Sequence, residues 1–174
     1  MKHLKTYNIF ENKDNSELIK QLESYSIENY TINEDGTIDV SGDVYLSNRD
    51  LSKIPFEFGK VTGYFIINYN NLTSLEGGPQ EVGGNYYCHN NQLKDLISGP
   101  QEVGGNYYCH NNQLESLEGC AGDIGGDFTC RNNKLEMLDC SSVINGNIYC
   151  EGNGFKQEPE FFGICGGGKI IWRY

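Results

Sequence analysis

The chain is short of basic residues: 13 lysines and arginines stand against 24 aspartates and glutamates in 174 residues, a formal net charge of -11 and a pI near 4.6. Clustered Lys and Arg are what hold a phosphate backbone or an anionic membrane surface. Neither direct nucleic-acid binding nor membrane attachment is therefore expected. Long apolar runs are lacking as well. No stretch approaches the ~18 residues needed to span a bilayer, and the opening MKHLKTYNIFENKDN has no apolar core for export. Hydrolase, kinase and dinucleotide-binding motifs are missing too. GGGK at Gly166–Lys169 lacks the upstream Gly and following Ser/Thr of a phosphate loop and reads as a flexible turn. No catalytic residues, no cofactor and no metal site are expected.

Seven cysteines, an odd number, without an export signal point to a reducing compartment, so a cytoplasmic location is expected. The acidity suits a basic protein partner, or simply solubility. The length suffices for one domain with its own core.

What the chain has in abundance is repetition. Gly78 to Leu93 recurs letter for letter as Gly99 to Leu114, 21 residues later. A period of that size signals a solenoid. Diverged copies keep the frame from Gly42 to about Gly154, and the shared pattern is Gly-x-aromatic-x-Cys-x-x-Asn-x-Leu-x-x-Leu, with Val, Leu or Ile at the aromatic and Cys positions of some units. Gly84, Tyr86 and Cys88 alternate, so one face of a short strand points inward. Asn91 is placed to turn its amide onto backbone where the strand bends away. Leu93 and Leu96 fill the interior. The rest, ISGPQEVG, is too short and too rich in Gly and Pro for a helix. It is expected to return in extended or irregular form along the outer side. The fold expected is mainly β: a stack of parallel strands in 21-residue turns, with an α/β cap at the N-terminus and a capping strand at the C-terminus.

Residues 1–41 are assigned to the N-terminal cap, 42–154 to the solenoid and 155–174 to the C-terminal cap. Asp14 and Glu17 resemble a capping box, opening a helix at Asn15–Tyr25 that turns Leu18, Ile19, Leu22 and Tyr25 to one side. Strands are expected at Tyr30–Asn33 and Thr37–Val40 around an Asp35-Gly36 turn. Beyond Phe155 the repeat fails, and Lys169–Tyr174 reads as a last strand, serving as a cap or as an exposed docking tail.

The frame sorts side chains by direction. Val44, Phe65, Tyr86, Tyr107, Phe128 and Ile148 point inward, as do Leu46, Ile67, Cys88, Cys109, Cys130 and Cys150. The cysteine column reads as buried filler, because a ladder does not converge on one point as zinc ligands must. Facing solvent is a middle column of Tyr45, Ile66, Tyr87, Tyr108, Thr129 and Tyr149, flanked by Tyr64 on one side and by His89, His110 and Arg131 on the other. Tyrosine offers contact area and a polar hydroxyl at low entropic cost. These ten residues are the candidate partner-binding face. The same column also serves as a ladder supporting strand pairing.

The pattern resembles short leucine-rich repeats, with Tyr86, Cys88, Asn91 and Leu93 in the places of Leu-x-Leu-x-x-Asn-x-Leu. Ser47–Pro55, SNRDLSKIP, looks like bacterial short-repeat versions. The Gly-x-Phe/Tyr-x-Cys-x-x-Asn-x-Leu-x-x-Leu-x-Gly-x-Pro form resembles leucine-rich proteins of tailed bacteriophages. The resemblance covers about two thirds of the chain and departs from the family in its Tyr, Phe and Cys at leucine positions. It implies a non-enzymatic module that binds a host protein, a defence or replication factor, in the host cytoplasm. Two other expectations stand beside it: a virion component self-associating through the C-terminal tail, and an acidic decoy of a nucleic-acid-binding enzyme.

Overall fold

A computed structural model describes residues 8–9 and 15–173. Its strands are β1 (Asn8–Ile9), β2 (Tyr30–Ile32), β3 (Ile38–Val40), β4 (Val44–Tyr45), β5 (Phe58–Val61), β6 (Phe65–Ile66), β7 (Glu81–Val82), β8 (Tyr86–Tyr87) and β9 (Glu102–Val103). They continue with β10 (Tyr107–Tyr108), β11 (Asp123–Ile124), β12 (Phe128–Thr129), β13 (Val143–Ile144), β14 (Ile148–Tyr149), β15 (Ile164–Cys165) and β16 (Ile170–Ile171). Among the described residues one helix, α1 (Ser16–Ser24), stands before the repeats. The molecule is a β-solenoid. Each turn contributes one rung to each of two sheets, ordered β4-β6-β8-β10-β12-β14-β16 and β1-β2-β3-β5-β7-β9-β11-β13-β15. Among the described residues no helix is long and apolar enough to cross a membrane.

Pairing keeps the sequence period. Tyr86 sits beside Phe65 and Tyr107, and Tyr107 beside Phe128, in parallel register. All twelve residues expected inward on the first sheet are buried. Leu72, Leu75, Leu93, Leu96, Leu114, Leu117, Leu135 and Leu138 close the interior after the bend. The bend itself uses left-handed backbone at Asn48, Tyr69, Asn90, Asn111 and Asn132. Tight stacking leaves no room for side chains where the chain re-enters the first sheet: a Cβ at Gly104 would fall on the carbonyl oxygen of Gly83.

The return segment is more regular than expected. Val82, Val103, Ile124 and Ile144 are buried and anchor two-residue strands that build the second sheet. Two residues per turn are too few to show a period of two, so the pairing arises from stacking, each turn templating the next.

At the N-terminus, α1 runs Ser16–Ser24 between Asn15 and Tyr25, and the Asn15 side chain makes no cap hydrogen bond. Asp14, half of the expected capping box, lies outside the described residues. Leu22 is fully buried, with Leu18, Ile19 and Tyr25 packed on the core. β2 and β3 form the antiparallel hairpin, Tyr30 opposite Val40 and Ile32 opposite Ile38. Asp35 Oδ1 accepts hydrogen bonds from the Thr37 N–H (2.9 Å) and hydroxyl (2.7 Å) in its turn.

The repeat geometry does not stop at Phe155. Without the repeat motif, β15 still pairs with β13 and β16 with β14, adding another rung to both sheets. The strand expected at Lys169–Tyr174 is Ile170–Ile171, and Tyr174 lies outside the described residues. Hydrogen bonds from the Ile148 N–H to Lys169 O (2.9 Å) and the Cys150 N–H to Ile171 O (2.8 Å) hold this rung in place of sequence likeness.

Candidate partner-binding face

The outward side of the first sheet presents three columns built on two-residue strands. Along the first, each side-chain oxygen accepts from the backbone N–H one turn on: Asp43 from Tyr64, Asn85 from Asn106, Asn106 from Asp127 and Asp127 from Asn147, all at 2.7 Å. The same side chains tie down the middle column. Asn85 Nδ2 donates to the Tyr87 hydroxyl and Asn106 Nδ2 to the Tyr108 hydroxyl, both at 2.8 Å. Tyr45 instead donates to Asp43 Oδ2 at 2.9 Å. The tyrosine hydroxyls are thus engaged within the face, and the rings are what it displays.

Those rings touch. Tyr87 and Tyr108 stack with centroids 4.8 Å apart, and Tyr64 meets Tyr87 edge-on at 6.4 Å. In the third column His89 and His110 stack at 4.3 Å, each edge-on to the tyrosine of its own rung. Arg131 lies 4.5 Å above the Tyr149 ring and pairs with the buried Glu151 at 2.7 Å. Tyr45 and Tyr64 are exposed; Ile66, Tyr87, His89, Tyr108, His110, Arg131 and Tyr149 are half-buried. Thr129 departs from its expected exposure: at 8% it is shaded between Tyr108 and Tyr149, the larger residues on the rungs either side.

The face carries little charge chemistry. Burial, and then the neighbouring His110, hold the His89 imidazole down to about 4. Burial, and then Arg131, lower His110. His89 Nε2 lies 2.8 Å from Asn68 Nδ2, so its unprotonated nitrogen accepts there. Both rings are neutral at pH 7. Among the described residues no group of three or more His, Cys, Asp or Glu is placed to hold a metal ion.

One member of this face escaped the reading of the sequence. Tyr69 is 53% exposed and sets its ring edge-on to His89 at 5.5 Å. It occupies the left-handed position that asparagines hold in four other turns, with φ 53°. Alignment of the turns shows the signal: a tyrosine where Asn48, Asn90, Asn111 and Asn132 stand.

Fold and face define a class, the solenoid repeat proteins with a flat, prearranged aromatic surface. No family model, characterised protein or solved structure matches the chain.

Proposed function

We propose that the protein is a non-enzymatic binding module that engages a protein partner through the outward face of the first sheet. The observation that carries this reading is the continuous run of rings across the rungs, Tyr64, Tyr69, Tyr87, His89, Tyr108 and His110. Rings already locked by stacking and by the asparagine column lose little freedom on binding, which is where association energy is otherwise spent. Tyr69 adds a second support. A bulky residue in left-handed backbone is strained, and strain of this kind concentrates where a side chain serves a site. The resemblance to leucine-rich repeats of tailed bacteriophages makes a host protein the favoured partner, in the host cytoplasm.

The test is capture from host lysate, followed by reconstitution with the identified protein in purified form. Changing Tyr87, Tyr108 and Tyr149 together to Ala should weaken binding at least tenfold, with only a mild effect of salt. Undiminished binding by the triple variant removes the face from consideration.

A second reading is self-association through the C-terminal tail. It is favoured by Phe162 and Ile164, 73% and 64% exposed on the last turn. Mass in solution separates the two: a monomer across micromolar concentrations disfavours the tail reading.

A further inference from the structure

The side of the solenoid away from the aromatic face holds three cysteines that the binding function leaves unused: Cys165, whose neighbour in the sheet is Ile144, and the pair Cys120 and Cys140. Cys120 stands three residues before Asp123 and Cys140 three before Val143, and Asp123 pairs with Val143 in parallel register. The two cysteines therefore lie side by side in adjacent turns. Neighbouring strands sit ~4.8 Å apart, within the ~4.4–6.8 Å Cα separation that a disulfide bridges. Cys120 is half-buried and lines a groove of about 540 Å³ with Gln101, Glu102, Gly119 and Gly122. Cys140 retains 8% exposure next to the buried Ser142.

We propose that Cys120 and Cys140 form an oxidisable dithiol, a modification site that takes a small hydroperoxide and yields a disulfide joining two turns. The Cys140 thiolate attacks one peroxide oxygen. An S–O bond forms, the O–O bond breaks, and the departing oxygen takes up a proton and leaves as water or an alcohol. The Cys120 sulfur then attacks the sulfenic sulfur. The S–S bond forms, the S–O bond breaks, and hydroxide leaves with the Cys120 proton as water. The two thiols supply the two electrons that reduce the peroxide.

The surroundings divide the roles. Hydrogen bonds from the Cys120 thiol and from the Ser142 hydroxyl and N–H hold the Cys140 thiol below the ordinary thiol value. Its bond to Cys140, and then burial, hold Cys120 well above it. A lowered thiol beside a partner able to resolve it is the arrangement that reacts with peroxide. The interior ladder meets the same register condition but is fully shielded. Cys88, Cys109, Cys130 and Cys150 are each 0% exposed, and burial pushes Cys150 up to about 12 and the other three higher than their ordinary value.

The experiment is hydrogen peroxide treatment of the native full chain, read by intact mass and by peptide mapping without reduction. Wild type is expected to lose two hydrogens and give one cross-linked peptide joining Cys120 to Cys140. Cys120→Ser should stop at a Cys140 sulfenic acid trapped by dimedone, and Cys140→Ser should give neither product. The disulfide should raise Tm by about 5 °C, reversibly on reduction. A folding defect in a variant is bypassed by limited iodoacetamide labelling of wild type, where Cys120 and Cys140 should react at least tenfold faster than the interior four. Cross-links confined to Cys88, Cys109, Cys130 or Cys150, labelling at equal rates, or an unchanged product in Cys120→Ser overturns the proposal.

Discussion

Asn91 spans two turns with one side chain. Its Nδ2 donates to Cys88 O in its own turn (3.1 Å) and to Ile67 O in the turn before (3.0 Å), while Oδ1 accepts from the Leu72 N–H (3.0 Å). Asn70, Asn112, Asn133 and Asn153 repeat the arrangement in the neighbouring turns. Removing one amide strands three buried backbone groups, so Asn91→Ala should cost about 3 kcal/mol, measured by urea denaturation. A loss near zero would mean water replaces the amide. Tyr69 is the opposite case. Tyr69→Asn relieves left-handed backbone strain and should stabilise the chain by about 1 kcal/mol. It should also weaken partner binding, since the ring leaves its place against His89. The amide role of Asn91 was legible from its fixed place in the period. The reach into the previous turn was not, because sequence spacing says nothing about which carbonyl lies overhead.

Within the first sheet, pH dependence follows from the histidine column. Folding lowers His89 from 6.5 to about 4, its ring packed among Asn68, Tyr69, Tyr87, Tyr108 and His110. Between these values the unfolded chain holds a proton that the folded chain does not. Stability is therefore full above pH 6.5 and falls as pH drops toward 4. With the ring half-buried and in reach of solvent screening, the loss is about 1 kcal/mol rather than the full value of the shift. Urea midpoints at pH 7 and pH 5 should differ, and His89→Asn should shrink the difference. An unchanged gap in the variant would assign the effect to other groups. The strand face was readable because alternation over Gly84, Tyr86 and Cys88 distinguishes in from out. The second sheet was not, because Glu81–Val82 and its successors give one inward residue per turn, and a single buried valine carries no periodicity. β15 was hidden for a related reason: Ile164 lies outside any Gly-x-aromatic-x-Cys frame, and the preceding turn's unpaired edge templates it, whereas β16 was legible as the strand within Lys169–Tyr174.

Across the whole molecule, contacts run between adjacent turns, so stability grows approximately as a sum of turns and interfaces. The exact duplication permits a clean test. Removing residues 84–104 takes out 21 residues and joins Gly83 to Gly105, which restores the sequence GGPQEVGGNYYCHNNQL across the junction. Every ladder keeps its register: Phe65 would pair with Tyr107 and Val82 with Ile124, and Asn112 would reach the Ile67 carbonyl that Asn91 now reaches, keeping its bond to Cys109 O. The shortened chain should fold with an unchanged far-UV spectrum per residue and a solenoid shorter by ~4.8 Å in scattering. It should unfold at a lower urea midpoint, having lost one turn and one interface. Removing residues 84–93 instead leaves half a turn, puts Ser98 where Cys88 was and Gln101 where Asn91 was, and should abolish cooperative unfolding. If both deletions behave alike, stability does not reside in the turn-by-turn register, and the flat face that depends on that register loses its physical basis.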